Sequence, residues 1–345
     1  MEKENLLCPI TFVLIALFLF FLAFTSSPAL ASATQPVDNQ LTFSSHDINK
    51  LYGINFSPYI GEQNPEYGSQ VDRNQITERI KIIAPYTFWI RTYGVTGGLE
   101  YAGPVAHGLG LKTAIGVWLS GDTEANDIQI NELINESKAG YVDLAIVGSE
   151  TLLRNDLSEN QLIEYIRRVK HAVPTSVNVT TADTYDELLN HPKVMAECDI
   201  IMYNNYPYWE GVSIDNAIKR QDNVHKSIAA KVKNKPIIVS ETGWPSAGNT
   251  IGIAVPSSEN SARYFKDFVS WARKNNVQYF YFEAFDETWK ATREGPQGAH
   301  WGIWDKDGNM KSGFETIFLK STKAAGFEIA FGVICLAGTF LYKTK

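Results

Sequence analysis

Two apolar runs in this chain each end in a glutamate. "LAIVGSE" closes on Glu150 and "PIIVSE" on Glu241. A carboxylate at the end of a buried extended run is costly to place unless it is paired or used. Two of them serve one kind of chemistry well. One carboxyl group protonates a leaving oxygen while the other faces the carbon under attack, which is the division of labour in cleaving a glycosidic bond. Either glutamate alone reads equally as a charge on the first turn of the helix that follows. The pair, in matching positions, favours the chemical reading.

The other apolar runs also end in polar or aromatic side chains. The first ends at Asn55 and Ser57, the second at Arg91 and Tyr93, the third at Trp118, and Ser149 stands directly before Glu150. A sixth run leads into "MYNNYPYW", with Asn204, Asn205, Tyr206 and Trp209, and an eighth into Glu283, Phe285, Asp286 and Glu287. Tyr206 is suited to orient Glu241, and Asn205 or Asn204 to contact a sugar. Arg91 is suited to pair with a carboxylate. Tyr93, Trp118, Trp209, Phe285 and Trp289 offer flat faces on which sugar rings stack, although each also fits ordinary core packing. The six histidines, at 46, 107, 171, 191, 225 and 300, form no His-x-x-x-His pair. No metal site is indicated, and no glycine-rich phosphate loop or other cofactor motif stands out.

The elements that carry these residues repeat one rhythm between 51 and 320. Short β-branched or aromatic runs at 52–57, 87–94, 112–119, 142–149, 175–182, 198–206, 236–241 and 278–285 predict strands. Helical patterns separate them, over 72–84, 99–107, 127–138, 158–173, 184–189, 213–232 and 257–274, with a last one near 312–319. "LSENQL", with Ser158 three residues before Gln161, is a helix start signal. Eight strand–helix units predict a (β/α)8 TIM barrel, whose chemistry gathers at the C-terminal ends of the strands. A doubly wound sheet is the alternative. It normally shows a glycine-rich turn after its first strand, and "FSPYIGEQNPEYG" has none.

The two ends differ from this middle. Residues 10–24 are an uncharged apolar run followed by "TSSPALASA", so 1–33 reads as a signal peptide cleaved after Ala31 or Ala33. The leading "MEKEN" is not net basic, which leaves an uncleaved signal anchor as the alternative; either way the chain is exported. Residues 34–50 read as a linker. At the far end, 324–342 is apolar apart from Glu328 and is followed by Lys343 and Lys345. It reads as a transmembrane helix that tethers the protein, against the alternative of an amphipathic helix packed on the domain. Cys8 and Cys335 fall in these ends and Cys198 stands alone between them, so the middle has no internal disulfide. The formal charge of −7 leaves no basic stripe for phosphates, which argues against a nucleic-acid partner.

At four places the residues resemble a known family. "VSETGWPSAG" resembles the signature of glycoside hydrolase family 17, the β-1,3-glucanase family. "AIVGSETLLR" resembles its acid/base segment, "YNNYPYW" its strand-six segment, and "YFYFEAFDETWK" its strand-eight segment with Glu287 and Lys290 three apart. They fall in the family's order and cover roughly residues 51–315. The resemblance implies a retaining double displacement, with Glu241 as nucleophile and Glu150 as acid/base, and carboxyl groups roughly 5–5.5 Å apart. It implies that Trp244 and Pro245 fix the turn beneath the sugar, and that Glu287 and Lys290 line the cleft. The family usually has asparagine where this chain has Ser149, at the position expected to hold the sugar 2-hydroxyl. The implied substrate is a polysaccharide, β-1,3-glucan. The glycosyl-enzyme can pass to water or to a second glucan, so hydrolysis and transglycosylation remain alternatives, and a non-catalytic glucan-binding protein is a third.

Overall fold

The computed structural model describes residues 49–318. Eight parallel strands close on themselves in sequence order, β1 to β8, with β8 pairing back to β1. They are β1 Leu51–Asn55, β2 Thr87–Arg91, β3 Lys112–Val117, β4 Leu144–Ser149, β5 Asn178–Thr184, β6 Ile201–Asn204, β7 Ile237–Glu241 and β8 Gln278–Tyr281. This is the expected TIM barrel. Parallel strands covered by helices are buried on both faces, so they appear in sequence as continuous apolar runs. The runs "LAIVG" and "IIVS" are of that kind, and β4 is buried along its whole length.

The outer layer is built from helices that start on side-chain caps. Between β1 and β2 lies α1, Arg73–Ile83, capped by Asp72, whose side chain accepts from the Gln75 N–H. Next come α2, Ala102–Gly108, and α3, Thr123–Lys138, the latter capped by Asp122. On α4, Glu159–Ala172, Ser158 and Gln161 form the reciprocal capping box that their spacing predicts. It buries Leu162, Ile163, Ile166 and Val169, one face of the helix, each worth about 1.5–3 kcal/mol. Two short helices follow β5, α5 Tyr185–Asn190 and α6 Pro192–Glu197, where a single one was expected. Pro192 accounts for the break, because it cannot donate to a continuing helix but suits a first turn. The long helices α7, Ile214–Lys231, and α8, Ser258–Lys274, complete the ring, α8 contributing Tyr264, Phe265, Phe268 and Val269 to the core.

The last unit departs from expectation. Near 312–319 the described residues form a 3-10 turn, Phe314–Ile317, entered through Gly313 in the left-handed region, and not an α-helix. Phe314 and Phe318 pack on Phe265, and Phe318 also on Trp304, so ring contacts hold this segment. The chain between β8 and that turn is the long excursion of the barrel. It carries a 3-10 turn at Thr288–Lys290, the four-residue α9 Ala291–Glu294, and a 3-10 segment at Pro296–His300. The strands also stop earlier than several sequence runs, β1 at Asn55, β6 at Asn204 and β8 at Tyr281. Beyond those points side chains take over from the ladder: Asn55 Nδ2 donates to the carbonyls of Ser240 and Phe280.

The signal segment and the tail helix expected from sequence lie outside the described residues. Among the described residues, no helix is long and apolar enough to cross a membrane. Cys198 is buried as a small apolar side chain.

Candidate active site

Glu241 is the last residue of β7 and only 6% exposed. Its position depends on one extra residue. Tyr203 and Asn204 are consecutive on β6, yet their partners on β7 are Val239 and Glu241. Ser240 is therefore an inserted residue, and such bulges re-aim the side chain that follows. The chain then turns sharply. A Cβ on Gly243 would stand 2.2 Å from the Phe282 carbonyl oxygen, so only glycine passes there. Trp244 locks the turn from behind. Its indole N–H donates to the Val255 carbonyl at 3.1 Å, and its own carbonyl accepts from Ser261 Oγ at 2.6 Å. Trp244 is fully buried, so it supports the turn and, although a candidate for binding substrate, offers no face to a ligand.

Arg91, the last residue of β2, reaches across the barrel to Glu241. Nη1 donates to Glu241 Oε1 at 2.5 Å, to Asn55 Oδ1 at 3.0 Å and to the Ser240 carbonyl at 3.1 Å, while Nη2 donates to Ser149 Oγ at 3.0 Å. The guanidinium is fully buried. Burial works against its charge, but Tyr93 and Glu241 outweigh it and hold the group above its usual range. Tyr206 donates to the second oxygen of Glu241 at 2.7 Å, as its sequence position suggested. Burial, together with Glu241, keeps the Tyr206 phenol well above its usual pKa, so it remains a donor. Ser149 donates to Glu241 Oε1 at 3.5 Å, a marginal contact beside its stronger one with Arg91. Asn55, fully buried, serves this framework and presents nothing to a cleft.

Glu150 is aimed by the same device. On β4, Ile146 and Ser149 pair with Thr180 and Ala182 of β5, so the extra residue again lies on the glutamate's own strand. Gly148 at φ +84° and Glu150 at φ +52° carry the turn. A Cβ on Gly148 would meet Thr151 Oγ1 at 2.4 Å. The Glu150 N–H is tied to the Ala182 carbonyl at 2.8 Å. Its Oε1 accepts from Asn204 Nδ2 at 2.8 Å, and Asn204 is in turn held by Ser240 Oγ at 2.6 Å. Burial, and next the charge of Glu241, push the Glu150 carboxyl up to about 7 against the pull of the Asn204 hydrogen bond.

Several sequence candidates take other roles. Asn205 turns away and donates to Gln221 Oε1 at 2.6 Å, so of the two asparagines Asn204 belongs to the site. Phe285 is buried against Phe56 and Trp304, with the Arg79 guanidinium over its ring, and is a core residue. Lys290 pairs with Glu283 and, at 2.7 Å, with Glu287. Glu287 also accepts from Ser57 and from the Trp289 indole at 3.1 Å. This buried cluster is a second polar layer at the β8 end, in which Lys290 outweighs burial and lowers the Glu287 carboxyl below its usual range. Tyr93 lies beside the guanidinium, its hydroxyl accepting from Arg91 at 3.2 Å. Trp118 and Trp209 remain exposed.

The sequence reading passed over a buried carboxylate of the site. Asp183, fully buried on β5, accepts from the backbone N–H groups of Leu152 and Thr184, each at 2.9 Å. It thereby holds the loop that follows Glu150. Burial lifts its carboxyl to about 6. The strand-end criterion would have found it, had the run at 175–182 been extended by one residue.

The arrangement sets apart two glutamates of different character. Glu241 accepts hydrogen bonds from Arg91 and Tyr206, and burial with the charge of Glu241 raises the Glu150 carboxyl to about 7. Among the described residues there is no group of His, Cys, Asp and Glu arranged to hold a metal ion.

The family model described as the BtgE/BtgC glycoside hydrolase domain matches residues 53–302. A glucan 1,3-beta-glucosidase of Candida albicans is 30% identical over 254 residues, covering 66% of this chain and 82% of that protein. A glucan 1,3-beta-glucosidase of Saccharomyces cerevisiae is 26% identical over 302 residues, covering 81% and 96%. The crystal structure of the glycoside hydrolase family 17 beta-1,3-glucanosyltransferase from Rhizomucor miehei superposes with a TM-score of 0.68 at 33% identity, covering 76% of this chain and 96% of that one. An active-site mutant of that enzyme is known in complex with laminaritriose. The chain belongs to the BtgE/BtgC glycoside hydrolase domain family, within glycoside hydrolase family 17.

Proposed function

We propose that this protein acts on β-1,3-glucan by a retaining double displacement, with Glu241 as nucleophile and Glu150 as acid/base. The observation that carries the reading is the contrast between the two carboxyl groups. Glu241 receives hydrogen bonds from Arg91 and Tyr206, while burial and Glu241's charge raise Glu150 to about 7. In the first step a Glu241 oxygen bonds to the anomeric carbon. The bond to the glycosidic oxygen breaks, and that oxygen takes the Glu150 proton. In the second step Glu150 removes a proton from an incoming hydroxyl, whose oxygen displaces Glu241 and restores the β configuration. Arg91 and Tyr206 stabilise the Glu241 carboxylate as it leaves. Ser149, where the family usually carries asparagine, brings a short hydroxyl to the position expected to meet the sugar 2-hydroxyl.

Water as the incoming group gives hydrolysis, and a glucan hydroxyl gives chain transfer. The transfer reading is favoured by the similarity to the Rhizomucor miehei glucanosyltransferase, and hydrolysis by the two fungal glucan 1,3-beta-glucosidases. We further propose export through the segment at 1–33 and a membrane tether through 324–342, on the strength of their apolar composition.

The test is a time course of products from a linear β-1,3-gluco-oligosaccharide, with Glu241→Gln as control. Shorter products only, released as the β-anomer, are expected of a retaining hydrolase, and products longer than the substrate of a transglycosylase. A wild-type chain that leaves the substrate untouched sinks the proposal.

A further inference from the structure

Trp118 directly follows β3, and 43% of it is exposed, unusual for so large an apolar side chain. One of its faces is covered. The Arg154 guanidinium lies over the indole with its carbon 3.9 Å from the ring centroid. Arg154 is itself anchored by three further contacts. Nη1 donates to the Ser149 carbonyl at 2.5 Å, Nη2 to the Leu119 carbonyl at 3.0 Å, and Nε to Asp156 Oδ2 at 2.7 Å. The two carbonyls belong to the residue just before Glu150 and the residue just after Trp118. One guanidinium therefore holds the exposed indole and the backbone of Glu150 in a single frame. The strands add to this, since Val117 and Val147 are paired in register.

A solvated tryptophan gains no core stability from such bracing. A fixed aromatic plane with one free face is instead what a pyranose ring needs, because the axial C–H groups of a β-glucosyl unit form a flat apolar surface. The cation behind the indole fixes the ring by a cation–π contact and leaves the opposite face open.

We propose that the free face of Trp118 is a stacking platform for a glucosyl ring on the leaving-group side of the cleavage point, where the acceptor later enters. The side follows from the frame. The glycosidic oxygen that Glu150 protonates belongs to the leaving sugar, and Arg154 ties Trp118 to Glu150. Glu241, held by Arg91 and Tyr206, instead faces the sugar under attack. The inference rests on the reading of Glu150 as acid/base.

The test maps which bond is cut. The full chain, wild type and as Trp118→Ala, Trp118→Leu and Trp118→Tyr, is given a linear β-1,3-gluco-hexaose labelled with 18O at its reducing end, and initial products are counted by mass. Loss of a leaving-side platform moves cleavage toward the reducing end, since fewer units are then held beyond the cut. We expect Ala and Leu to change the ratio of neighbouring cleavages about fivefold, and Tyr to keep most of the wild-type pattern. The ratio is independent of how much protein is active, and the Leu variant carries the comparison if Ala does not fold. An unchanged pattern in Ala and Leu overturns the inference, and so does a shift toward the non-reducing end. A wild-type chain that cuts no bond removes the functional reading first and this inference with it.

Discussion

Arg91 and Glu241 stand 150 positions apart in the chain and 2.5 Å apart in the barrel, in a pair that is almost wholly buried. Burying two charges is unfavourable in itself, and their mutual attraction offsets that only when the remaining hydrogen bonds are also made. Here Asn55, Ser149, Ser240 and Tyr206 supply most of them. The pair therefore serves structure and site together, since it ties β2 to β7 across the barrel and fixes the position of the Glu241 carboxyl group.

Removing one partner should expose this cost. Arg91→Met leaves Glu241 buried without its cation, and the expected loss is about 3–5 kcal/mol. Denaturant unfolding of the variant measures it. A loss under about 1 kcal/mol would mean that Tyr206 and Ser149 suffice to hold the carboxylate.

The pH profile should carry the signature of Glu150. On the proposed mechanism its carboxyl must be protonated to act as the acid, and burial with the Glu241 charge raises it to about 7, so kcat/KM should fall as pH rises through that value. The Asn204 hydrogen bond favours the ionised form, so Asn204→Ala should raise the Glu150 pKa and move the basic limb to higher pH, while lowering the rate. An unmoved limb in that variant would show that Asn204 does not set the proton affinity.

Gly148→Ala should damage both stability and rate. The position has φ +84°, and a Cβ there would lie 2.4 Å from Thr151 Oγ1, within the turn that aims Glu150. Left-handed backbone alone costs a non-glycine residue about 1–2 kcal/mol. The prediction is a lower melting temperature together with a fall in kcat larger than the rise in KM. A variant with normal kcat would mean that the turn tolerates displacement.

A separate pH effect should come from α3. Glu136 is buried there, and among the described residues neither of its carboxyl oxygens has a hydrogen-bond partner. Burial, aided by Glu132 and Glu100, raises its pKa from 4.5 to about 8. The folded state thus binds a proton more tightly than the unfolded chain. The stability this contributes is complete below the unfolded pKa and is lost as pH rises through about 8. Glu136→Gln should therefore melt about as wild type at pH 5 and clearly higher at pH 9, by about 2 kcal/mol in stability. Equal melting temperatures at pH 9 would show that the ionised carboxylate is solvated in the folded protein.

How much of this was legible beforehand follows from the range of each signal. The barrel could be read because each strand is a local pattern: "LAIVG" and "IIVS" are apolar on both faces, and Ser158 and Gln161 announce a helix within four residues. Glu150 and Glu241 could be read because a carboxylate terminating such a run is a local anomaly. The last unit was misjudged for the converse reason. Residues near 312–319 have helix-compatible composition, but Gly313 and the ring contacts of Phe314 and Phe318 with α8 and Trp304 set their conformation.

By itself, then, the sequence determined the strand order, the barrel and the two glutamates, because periodicity and strand ends are written within a few residues. Only the tertiary structure decided where the side chains point. Trp244, Phe285 and Asn205 occupy the same kinds of strand-end position as Tyr206 and Asn204, yet the first three face packing partners and the last two face carboxylates. Asp183 joined the site through the backbone N–H of Leu152, 31 positions away, a contact no spacing records. The physical reason is that the face a residue presents beyond the last ladder bond depends on a single inserted residue, Ser240 on β7 and its counterpart on β4. A strand register, and with it a bulge, exists only once the neighbouring strand is in place.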